Sequence, residues 1–297
     1  MTLTEPAHQP NLPFSIVIPA FNEAAVIERT LRALNIGRNA DQPPEVIVVC
    51  NGCNDQTANI VRMTYPSTIV IELEEGSKSL AINVGIEAAQ YKPVIIVDAD
   101  VIIEHASLVA LAVALRGPEV MAASPAVKVE LSGCDRWVRL YYKVWQGHSY
   151  LKEGIGGSGV YGLSSLALHQ LGPIPPVIAD DTYIRSIFPI SQQKRIAQDV
   201  NGRPVSSTIF APRRLRNLVS CESRWRAGDA QLRQLLGTGA VSIKPSSEAR
   251  LLSRAGSPIG SLFIYYLIKV MGRGAFLLNR VRRQNGLWHR DSSRRDH

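Results

Sequence analysis

Along the first hundred residues, short apolar runs alternate with stretches in which apolar residues recur every three or four positions. The apolar runs predict four strands, at 14–18, 46–49, 68–73 and 94–97, and Pro19 is expected to end the first. The stretches between them predict helices at about 23–34, 55–63 and 76–89. Strands that alternate with short helices are typical of βαβ units, so we expect a mainly parallel sheet flanked by helices.

The first predicted helix has a one-sided apolar pattern. Its apolar face carries Val26, Ile27, Thr30, Leu31 and Leu34. Asn22 precedes this helix and belongs to the residue types that often cap helices. We therefore expect the side chain of Asn22 to accept a hydrogen bond from the first turn.

The unusual polar residues of this half follow directly after predicted strands. They are Asn22 and Glu23, the segment 51–55, Lys78, and the pair Asp98 and Asp100. Ligands of open α/β sheets bind at the carboxyl ends of the strands, so these side chains are expected to converge on one edge of the sheet.

Asp98 and Asp100 follow a run of four branched apolar residues, which is typical of a strand buried on both faces. Two carboxylates at such a strand end suit Mg²⁺ or Mn²⁺, which share their coordination with waters and substrate phosphates. The alternative is a solvated turn, because Asp is common after strands. The polar residues that follow the other strands favour the metal site.

The second half predicts a helix at 105–115 and a strand at 120–129. Aromatic residues then cluster between Trp137 and Tyr150, either as core or as a platform for a sugar ring, and a glycine-rich loop follows at 154–159. Asp180 and Asp181 precede another predicted helix. Taken alone they fit a helix cap better than a general base, because negative charge is favoured at a helix start.

Charge is divided unevenly along the chain. The net charge is −5 over residues 1–150 and +13 over residues 151–297, which gives +8 in total. A basic amphipathic helix is predicted to start at Ser257 and Pro258, with Lys269, Arg273 and Arg280 on its polar face. Its apolar face carries Ile259, Leu262, Phe263, Tyr266, Leu267 and Val270. Such a helix can lie in a membrane interface or pack on the domain with its charges in water.

Several classes of protein are excluded or disfavoured by the sequence. It contains neither G-x-G-x-x-G after the first strand nor G-x-x-x-x-G-K-[ST], which argues against a dinucleotide site and excludes a standard P-loop. The start of the chain lacks the features of a signal peptide, and no run of eighteen apolar residues predicts a membrane span. Cys50 and Cys53 form a C-x-x-C without a second pair, and small buried residues are favoured over a redox or metal role. We expect a cytoplasmic protein, with peripheral contact at the inner face of the cell membrane as an option.

Five motifs, in order, resemble those of the inverting family 2 glycosyltransferases with the GT-A fold. Residues 19–23 (PAFNE) resemble P-x-[YF]-N-E, and residues 51–57 (NGCNDQT) resemble D-G-S-x-D-x-T. Residues 76–85 are similar to G-K-x-x-A-L-N-x-G, residues 98–100 to D-x-D, and residues 180–181 to the E-D near the acceptor. The resemblance covers roughly 14–230 and implies a GT-A, Rossmann-like α/β fold with a basic helical C-terminal extension.

The resemblance also implies a role for each matching residue. Asp181 is expected to be the catalytic base and Asp180 to support it, and Asp98 and Asp100 are expected to bind a divalent cation, with Asp98 also near the ribose. The expected nucleotide-sugar residues are Pro19, Phe21, Glu23, Asn51, Asp55, Lys78 and Asp98. The expected acceptor-side residues are Gly157, Ser158, Gly159, Arg224 and Trp225.

The sequence departs from the family pattern at three places. Asn51 replaces an Asp that accepts a hydrogen bond from uracil, so GDP and dTDP donors stay open beside UDP. Asp180 replaces a Glu. Arg224 and Trp225 match the end of the Q-x-x-R-W motif of processive synthases, but Cys221 stands in place of Gln, so transfer of a single sugar is expected.

The expected activity is metal-dependent inverting transfer from a nucleotide-diphosphate sugar to an acceptor hydroxyl, in polysaccharide or glycolipid assembly. A lipid-linked acceptor and a membrane contact through 257–283 are among the expected partners, and nucleic acid is not. The alternatives are a sugar-1-phosphate nucleotidyltransferase and a basic nucleic-acid-binding protein. The expected divisions are a flexible 1–13, a catalytic domain at 14–230 (nucleotide half 14–104, acceptor half 105–230), and a basic helical region at 231–297.

Overall fold

A computed structural model describes residues 13–34, 43–237 and 259–281 of the 297 residues. The expected flexible N-terminus, apart from its last residue, lies outside these ranges. So do the predicted helix start at Ser257 and Pro258 and the predicted mobile tail at 282–297.

The first half forms the parallel part of one sheet. Its strands are β1 (Ser15–Ala20), β2 (Glu45–Asn51), β3 (Ile69–Leu73) and β4 (Val94–Val97), and its helices are α1 (Ile27–Leu34), α2 (Thr57–Thr64) and α3 (Lys78–Ala88). The strand order is β3-β2-β1-β4, and every neighbouring pair is parallel. Ser15 lies opposite both Glu45 and Val94, so the carboxyl ends of β1, β2 and β4 face the same way.

The second half completes the sheet and adds the remaining helices. Its elements are β5 (Ile102–Ile103), α4 (His105–Ala114), β6 (Ala122–Glu130), α5 (Arg136–Trp145), β7 (Val160–Leu163), α6 (Ser165–Leu171), α7 (Asp180–Ile187), β8 (Gln193–Ile196), β9 (Ser206–Phe210), α8 (Leu215–Leu236) and α9 (Ile259–Val281). The strand order continues β4-β7-β6-β9-β5, with β8 beside β6. β7 is antiparallel to both β4 and β6. The predicted GT-A-type sheet flanked by helices is confirmed.

Apolar side chains cover both faces of the central strands. Ile16 and Ile18 of β1 point into a core shared with α1, α2 and α4, whereas Val17 points into a second core shared with α3, α7 and α8. All four residues of β4 are buried. The residues predicted for the apolar face of α1 are also all buried. The apolar patterns therefore predicted this part of the fold correctly.

Two local predictions around β1 are wrong. β1 continues through Pro19 to Ala20, because the pairing with β4 ends at Val17 and Pro19 lies beside β2 only. Asn22 does not cap a helix, since it has a φ of +53° and its Oδ1 accepts a hydrogen bond from the backbone N–H of Asn54. The helix itself begins at Ile27 instead of near Glu23.

The predicted apolar face of α9 is largely exposed, and a different side of the helix packs on the domain. α9 packs against α8 and α5 through Tyr265 and Ile268, while Phe263 and Val270 stay exposed. Lys269, expected in water, forms an ion pair with the buried carboxylate of Glu222 (Nζ–Oε1 2.8 Å). The partner that draws Lys269 inward lies on another helix, so the periodicity of α9 alone could not reveal it.

Candidate active site

A cleft of about 860 Å³ opens at the carboxyl ends of β1 and β4. The residues that follow β4, the first turn of α7 and the glycine-rich loop before β7 form its walls, together with α8 and α9. The cleft is lined by these predicted site residues: Pro19, Glu23, Lys78, Asp98, Asp100, Gly157, Ser158, Gly159, Asp180, Asp181, Arg224 and Trp225. Their convergence was predicted from their positions after strands and from the family resemblance.

Lys78 joins two of the carboxylates at the floor of the cleft. Its Nζ lies 2.8 Å from Asp98 Oδ1 and 2.8 Å from Asp180 Oδ1. Ser77 caps α3 by accepting a hydrogen bond from the backbone N–H of Leu80, and this fixes the helix start that carries Lys78. Burial alone would lower the pKa of Lys78, but Asp180 and Asp98 outweigh burial and raise that pKa above its usual value. Lys78 therefore stays charged and balances part of the negative charge.

Asp98 and Asp180 are held differently. Burial raises the pKa of Asp98 to about 6; Lys78 opposes this shift, and Asp180 and Asp100 add to it. Asp180 is 3% exposed, and its second oxygen accepts a hydrogen bond from the hydroxyl of Tyr161 at 3.0 Å. Burial and the nearby Asp180 raise the pKa of Tyr161 well above its usual value, so this hydroxyl stays a donor. Both oxygens of Asp180 are thus engaged.

Asp181 lies on the cleft side of the same helix turn. Its Oδ2 accepts a hydrogen bond from the backbone N–H of Gly157 at 3.2 Å, and its Oδ1 accepts one from the backbone N–H of Thr182 at 2.7 Å. Helix α7 begins at Asp180, two residues before the predicted start. Asp181 therefore faces the glycine loop, whereas Asp180 faces Lys78.

The glycine loop needs its glycines for conformation and for space. Gly157 and Gly159 have φ angles of +72° and +63°, in the left-handed region that other residues rarely adopt. A Cβ on Gly159 would lie 2.4 Å from Val101 Cγ2. The carbonyl of Gly159 accepts the backbone N–H of Asp98 at 2.8 Å, so the loop is fixed directly to the end of β4.

Two arginines, neither of them predicted from the sequence as a site residue, donate hydrogen bonds to main-chain carbonyls of this loop and its neighbours. Arg185 donates to the carbonyls of Glu153 (2.9 Å) and Ile155 (2.8 Å). Arg195 donates to the carbonyls of Pro125 (2.7 Å) and Gly156 (2.7 Å), and to that of Tyr150 at 3.2 Å. Burial lowers the pKa of Arg195 to about 10, so it remains charged at neutral pH. The sequence contains one indication that Arg185 belongs to the site, since it lies one helical turn after Asp181; it contains none for Arg195.

Three predicted nucleotide-site residues do not line the cleft. The ring of Phe21 packs against Gly76, where a Cβ would lie 3.2 Å away. Asp55 accepts hydrogen bonds from the backbone N–H groups of Ala24 (3.1 Å) and Thr57 (3.0 Å), so it joins the start of α2 to the loop after β1. Asn51 is fully buried. Its amide Nδ2 donates to the carbonyl of Ala20 at 2.8 Å, whereas its Oδ1 has no hydrogen-bond partner in the described part of the chain.

The donor chemistry at the end of β4 fits a hard divalent cation. Asp98 and Asp100 bring carboxylate oxygens to the cleft, and oxygen ligands are what Mg²⁺ and Mn²⁺ prefer. Within residues 13–34, 43–237 and 259–281, no group of three His, Cys, Asp or Glu side chains could hold a metal ion. Two carboxylates alone leave coordination positions for waters and for the phosphates of a substrate.

The opposite wall of the cleft is built by α5, α8 and α9. The lining aromatic side chains are Tyr142, Trp145, His148, Tyr150, Trp225, Tyr265 and Tyr266. Tyr141, in contrast, belongs to the core and stacks on Tyr265 with ring centroids 4.9 Å apart. His148 Nε2 lies 2.7 Å from the hydroxyl of Tyr265, which joins α9 to the end of α5. The cleft therefore contains acidic residues at the sheet edge and aromatic and basic residues on the far wall.

Comparisons with known proteins identify similar sequences and structures. A family model described as "Glycosyltransferase like family 2" matches residues 10–156. The mannosyltransferase PcManGT from Pyrobaculum calidifontis, solved with GDP-Man and Mn²⁺, is similar in structure (TM-score 0.61, 18% identity, 92% of this chain and 88% of that chain covered). No curated protein matches by sequence.

A second similar structure is glucosyl-3-phosphoglycerate synthase from Mycobacterium tuberculosis, in complex with Mn²⁺, UDP and glucosyl-3-phosphoglycerate (TM-score 0.52, 17% identity, 78% and 86% covered). The fold is that of the GT-A glycosyltransferases. Residues 10–156 match the family model, and this part of the chain is a family 2 glycosyltransferase domain. The two alternative activities considered from the sequence are accordingly set aside.

Proposed function

We propose that this enzyme transfers one sugar from a nucleotide-diphosphate sugar to an acceptor hydroxyl, with inversion at the anomeric carbon and with Mg²⁺ or Mn²⁺. The observation that carries the proposal is the position of Asp181. Its carboxylate lies in the same cleft as Asp98 and Asp100 and is oriented by the backbone N–H groups of Gly157 and Thr182. A carboxylate so placed can take a proton from a hydroxyl as that hydroxyl attacks.

Asp180 is the weaker candidate for the base. One of its oxygens pairs with Lys78, the other accepts the hydroxyl of Tyr161, and its side chain is buried, whereas Asp181 is half-buried in the wall of the cleft. Asp180 instead holds Lys78 beside Asp98. This gives the two adjacent carboxylates different roles, Asp181 as base and Asp180 as its support.

The donor diphosphate is proposed to bind over Asp98, Asp100 and Lys78. Asp98 and Asp100 would hold the divalent cation, which acts as a Lewis acid that neutralises the departing diphosphate. Lys78 keeps the floor of the cleft from carrying three uncompensated negative charges. Glu23 and Pro19 line the same end of the cleft, where the ribose and diphosphate are expected.

Asn51 supports recognition of the base through one remaining acceptor. Its Nδ2 is occupied by the carbonyl of Ala20, so only Oδ1 is available, and a buried acceptor without a partner is unfavourable. A ring N–H would satisfy it, as uracil, thymine and guanine can offer. Since Asn51 is fully buried and outside the cleft, we propose that donor binding uncovers its Oδ1, which then accepts a hydrogen bond as the family's Asp does.

The exposed side of α9 supports peripheral contact with an anionic membrane. Phe263 and Val270 are 66% and 67% exposed, and Arg273 and Arg280 are exposed near them on the helix. Residues Gly260–Arg280 are long and apolar enough to cross a membrane by length and composition, although no continuous run of eighteen apolar residues predicted this from the sequence. Since its other side packs on α5 and α8, we propose that α9 lies in the interface, consistent with glycolipid or polysaccharide assembly.

Asp181→Asn tests the assignment of the base. The donor is first chosen by a thermal-shift screen of UDP, GDP, dTDP and their sugars with Mn²⁺, because a ligand of the folded state raises the melting temperature. Release of nucleoside diphosphate from that donor, with water as acceptor, should fall at least about 100-fold in the variant, while the Mn²⁺-dependent shift remains.

Asp199→Asn, in an exposed turn, serves as the control and should leave both measurements unchanged. Unchanged turnover in Asp181→Asn would remove Asp181 as the base. Absence of a shift with every nucleotide would count against the proposed donor site.

A further inference from the structure

The part of the cleft lining that comes from α8 and α9 is mostly positively charged. α8 contributes Arg224, Arg226 and Arg233, and α9 contributes Lys269, against a single carboxylate, Asp229. The acidic end of the cleft is the proposed site of the metal and the donor. A second ligand can be bound only by those charged groups on α8 and α9 that contacts within the protein leave available.

Part of this charge is already used inside the protein. Lys269 pairs with Glu222, and Arg226 donates from Nη2 to the carbonyl of Lys269 at 2.9 Å. Arg233 follows Asp229 by one helical turn and lowers the pKa of that carboxyl, although burial raises it overall. These contacts fix the wall in place.

Two guanidinium groups keep unused donors. Arg226 has a buried Nε without a hydrogen-bond partner in the described part of the chain. Arg224 lines the cleft, is half-buried, and forms no hydrogen bond or ion pair with any described residue. Guanidinium donors in a half-buried wall bind phosphate oxygens well, because the fork of N–H groups matches their geometry.

The same wall continues into the exposed apolar side of α9. Tyr266 lines the cleft and is also 46% exposed, and Phe263 and Val270 lie on the exposed surface of the same helix. A ligand that reaches Arg224 from this direction therefore has an apolar surface beside it. The arrangement is typical of a site for a molecule with a charged end and an apolar tail.

We propose that the acceptor is an amphipathic phosphate, with its phosphoryl group bound by Arg224 and Arg226 and its hydrocarbon chain along α9. This inference rests on the proposed function and adds the chemical class of the acceptor. The phosphate anchors the molecule, and the hydroxyl that is glycosylated is carried towards Asp181.

Binding of three probes to the full chain tests this inference. The protein is first saturated with Mn²⁺ and the nucleoside diphosphate chosen above, so that the donor site cannot take up the probe. Farnesyl phosphate, farnesol and inorganic phosphate are then titrated and followed by tryptophan fluorescence, since Trp145 and Trp225 line the cleft. Farnesyl phosphate should bind at least tenfold more tightly than either of the other two.

Arg224→Gln should weaken farnesyl phosphate at least tenfold, leave farnesol unchanged and retain the nucleotide-dependent thermal shift. Arg216→Gln is the matched control, because Arg216 is an exposed arginine of the same helix outside the cleft. Equal binding of farnesyl phosphate by Arg224→Gln and the wild type would overturn the phosphate site.

The probes themselves distinguish the other outcomes. Inorganic phosphate as tight as farnesyl phosphate would replace the lipid by a free phosphorylated acceptor, and farnesol as tight would remove the phosphate requirement. Either result would overturn the amphipathic acceptor. If the wild type binds nucleotide but gives one of these results, the proposed transferase activity still holds and only the acceptor class is wrong. If the wild type binds no nucleotide, the result counts against the transferase activity itself.

Discussion

The crossing of α9 over α8 makes a sharp prediction about two glycines. At Gly272 a Cβ would lie 2.5 Å from Glu222 Cβ, well below the 3.4–4 Å of an ordinary contact. At Gly274, two residues later in the same helix, a Cβ would meet nothing within 4 Å. Gly272→Ala and Gly274→Ala are therefore the same chemical change with and without a steric conflict.

The expected magnitudes follow from this comparison. Replacing Gly by Ala inside a helix stabilises it by about 0.5–1 kcal/mol, and both variants receive this gain. Forcing an extra carbon into a close-packed contact costs about 1–3 kcal/mol. At Gly272 the added carbon would collide with Cβ of Glu222. The carboxylate of Glu222 is buried and paired with Lys269, so Glu222 has little room to move away. We expect Gly272→Ala to be less stable than Gly274→Ala by about 1–3 kcal/mol.

The free energy of unfolding is measured in urea by tryptophan fluorescence, which reports on Trp145 and Trp225 beside α9. Gly274→Ala is expected to match or slightly exceed the wild type. If the free energies of unfolding of the two variants differ by less than about 0.5 kcal/mol, α8 and α9 do not cross as closely as the structure shows. The position of the cleft wall that these two helices form would then be wrong.

Two further predictions concern the membrane contact and the glycine loop. Replacing Phe263, Val270 and Leu277 by Ser removes one exposed apolar stripe of α9; sedimentation with phosphatidylglycerol vesicles should be lost while the melting temperature stays near that of the wild type. Vesicle binding that survives would place the membrane contact elsewhere. Arg195→Met leaves the three carbonyls bound by Arg195 without that donor, at about 1–3 kcal/mol for each that stays unsatisfied; we expect a lower melting temperature and a large loss of donor hydrolysis. Hydrolysis at the wild-type rate would show that the loop does not depend on Arg195.

Most of the parallel half could be predicted because each strand or helix there shows its buried residues in its own short segment of sequence. A strand buried on both faces needs a run of apolar residues wherever it lies in the sheet, and β4 shows such a run. The same holds for the apolar face of α1, all of which is buried. Asp98 and Asp100 could be placed because any residue that follows a parallel strand lies at the same edge of the sheet.

The errors concern residues whose partners are distant in the sequence. Asn22 resembles a cap, but the backbone N–H that it binds belongs to Asn54. Lys269 looks like a solvated charge, but Glu222 pairs with it from another helix. Arg195 hydrogen-bonds to main-chain carbonyls, which every residue possesses, so no residue type in the sequence points to it. Such contacts are decided by packing, which residue patterns do not encode.

The two walls of the cleft come from widely separated parts of the chain. The acidic part is built by segments that precede residue 101 and by the start of α7, whereas the arginines Arg224, Arg226 and Arg233 and the lysine Lys269 come from α8 and α9. The match to the family model ends at residue 156, before either of these helices begins. Under the proposed assignment, mutation in α8 and α9 can change which acceptor is used while the donor site is inherited intact. The last third of the gene is therefore where related enzymes are free to diverge in acceptor choice, and where exchange of a single segment offers a route to new products.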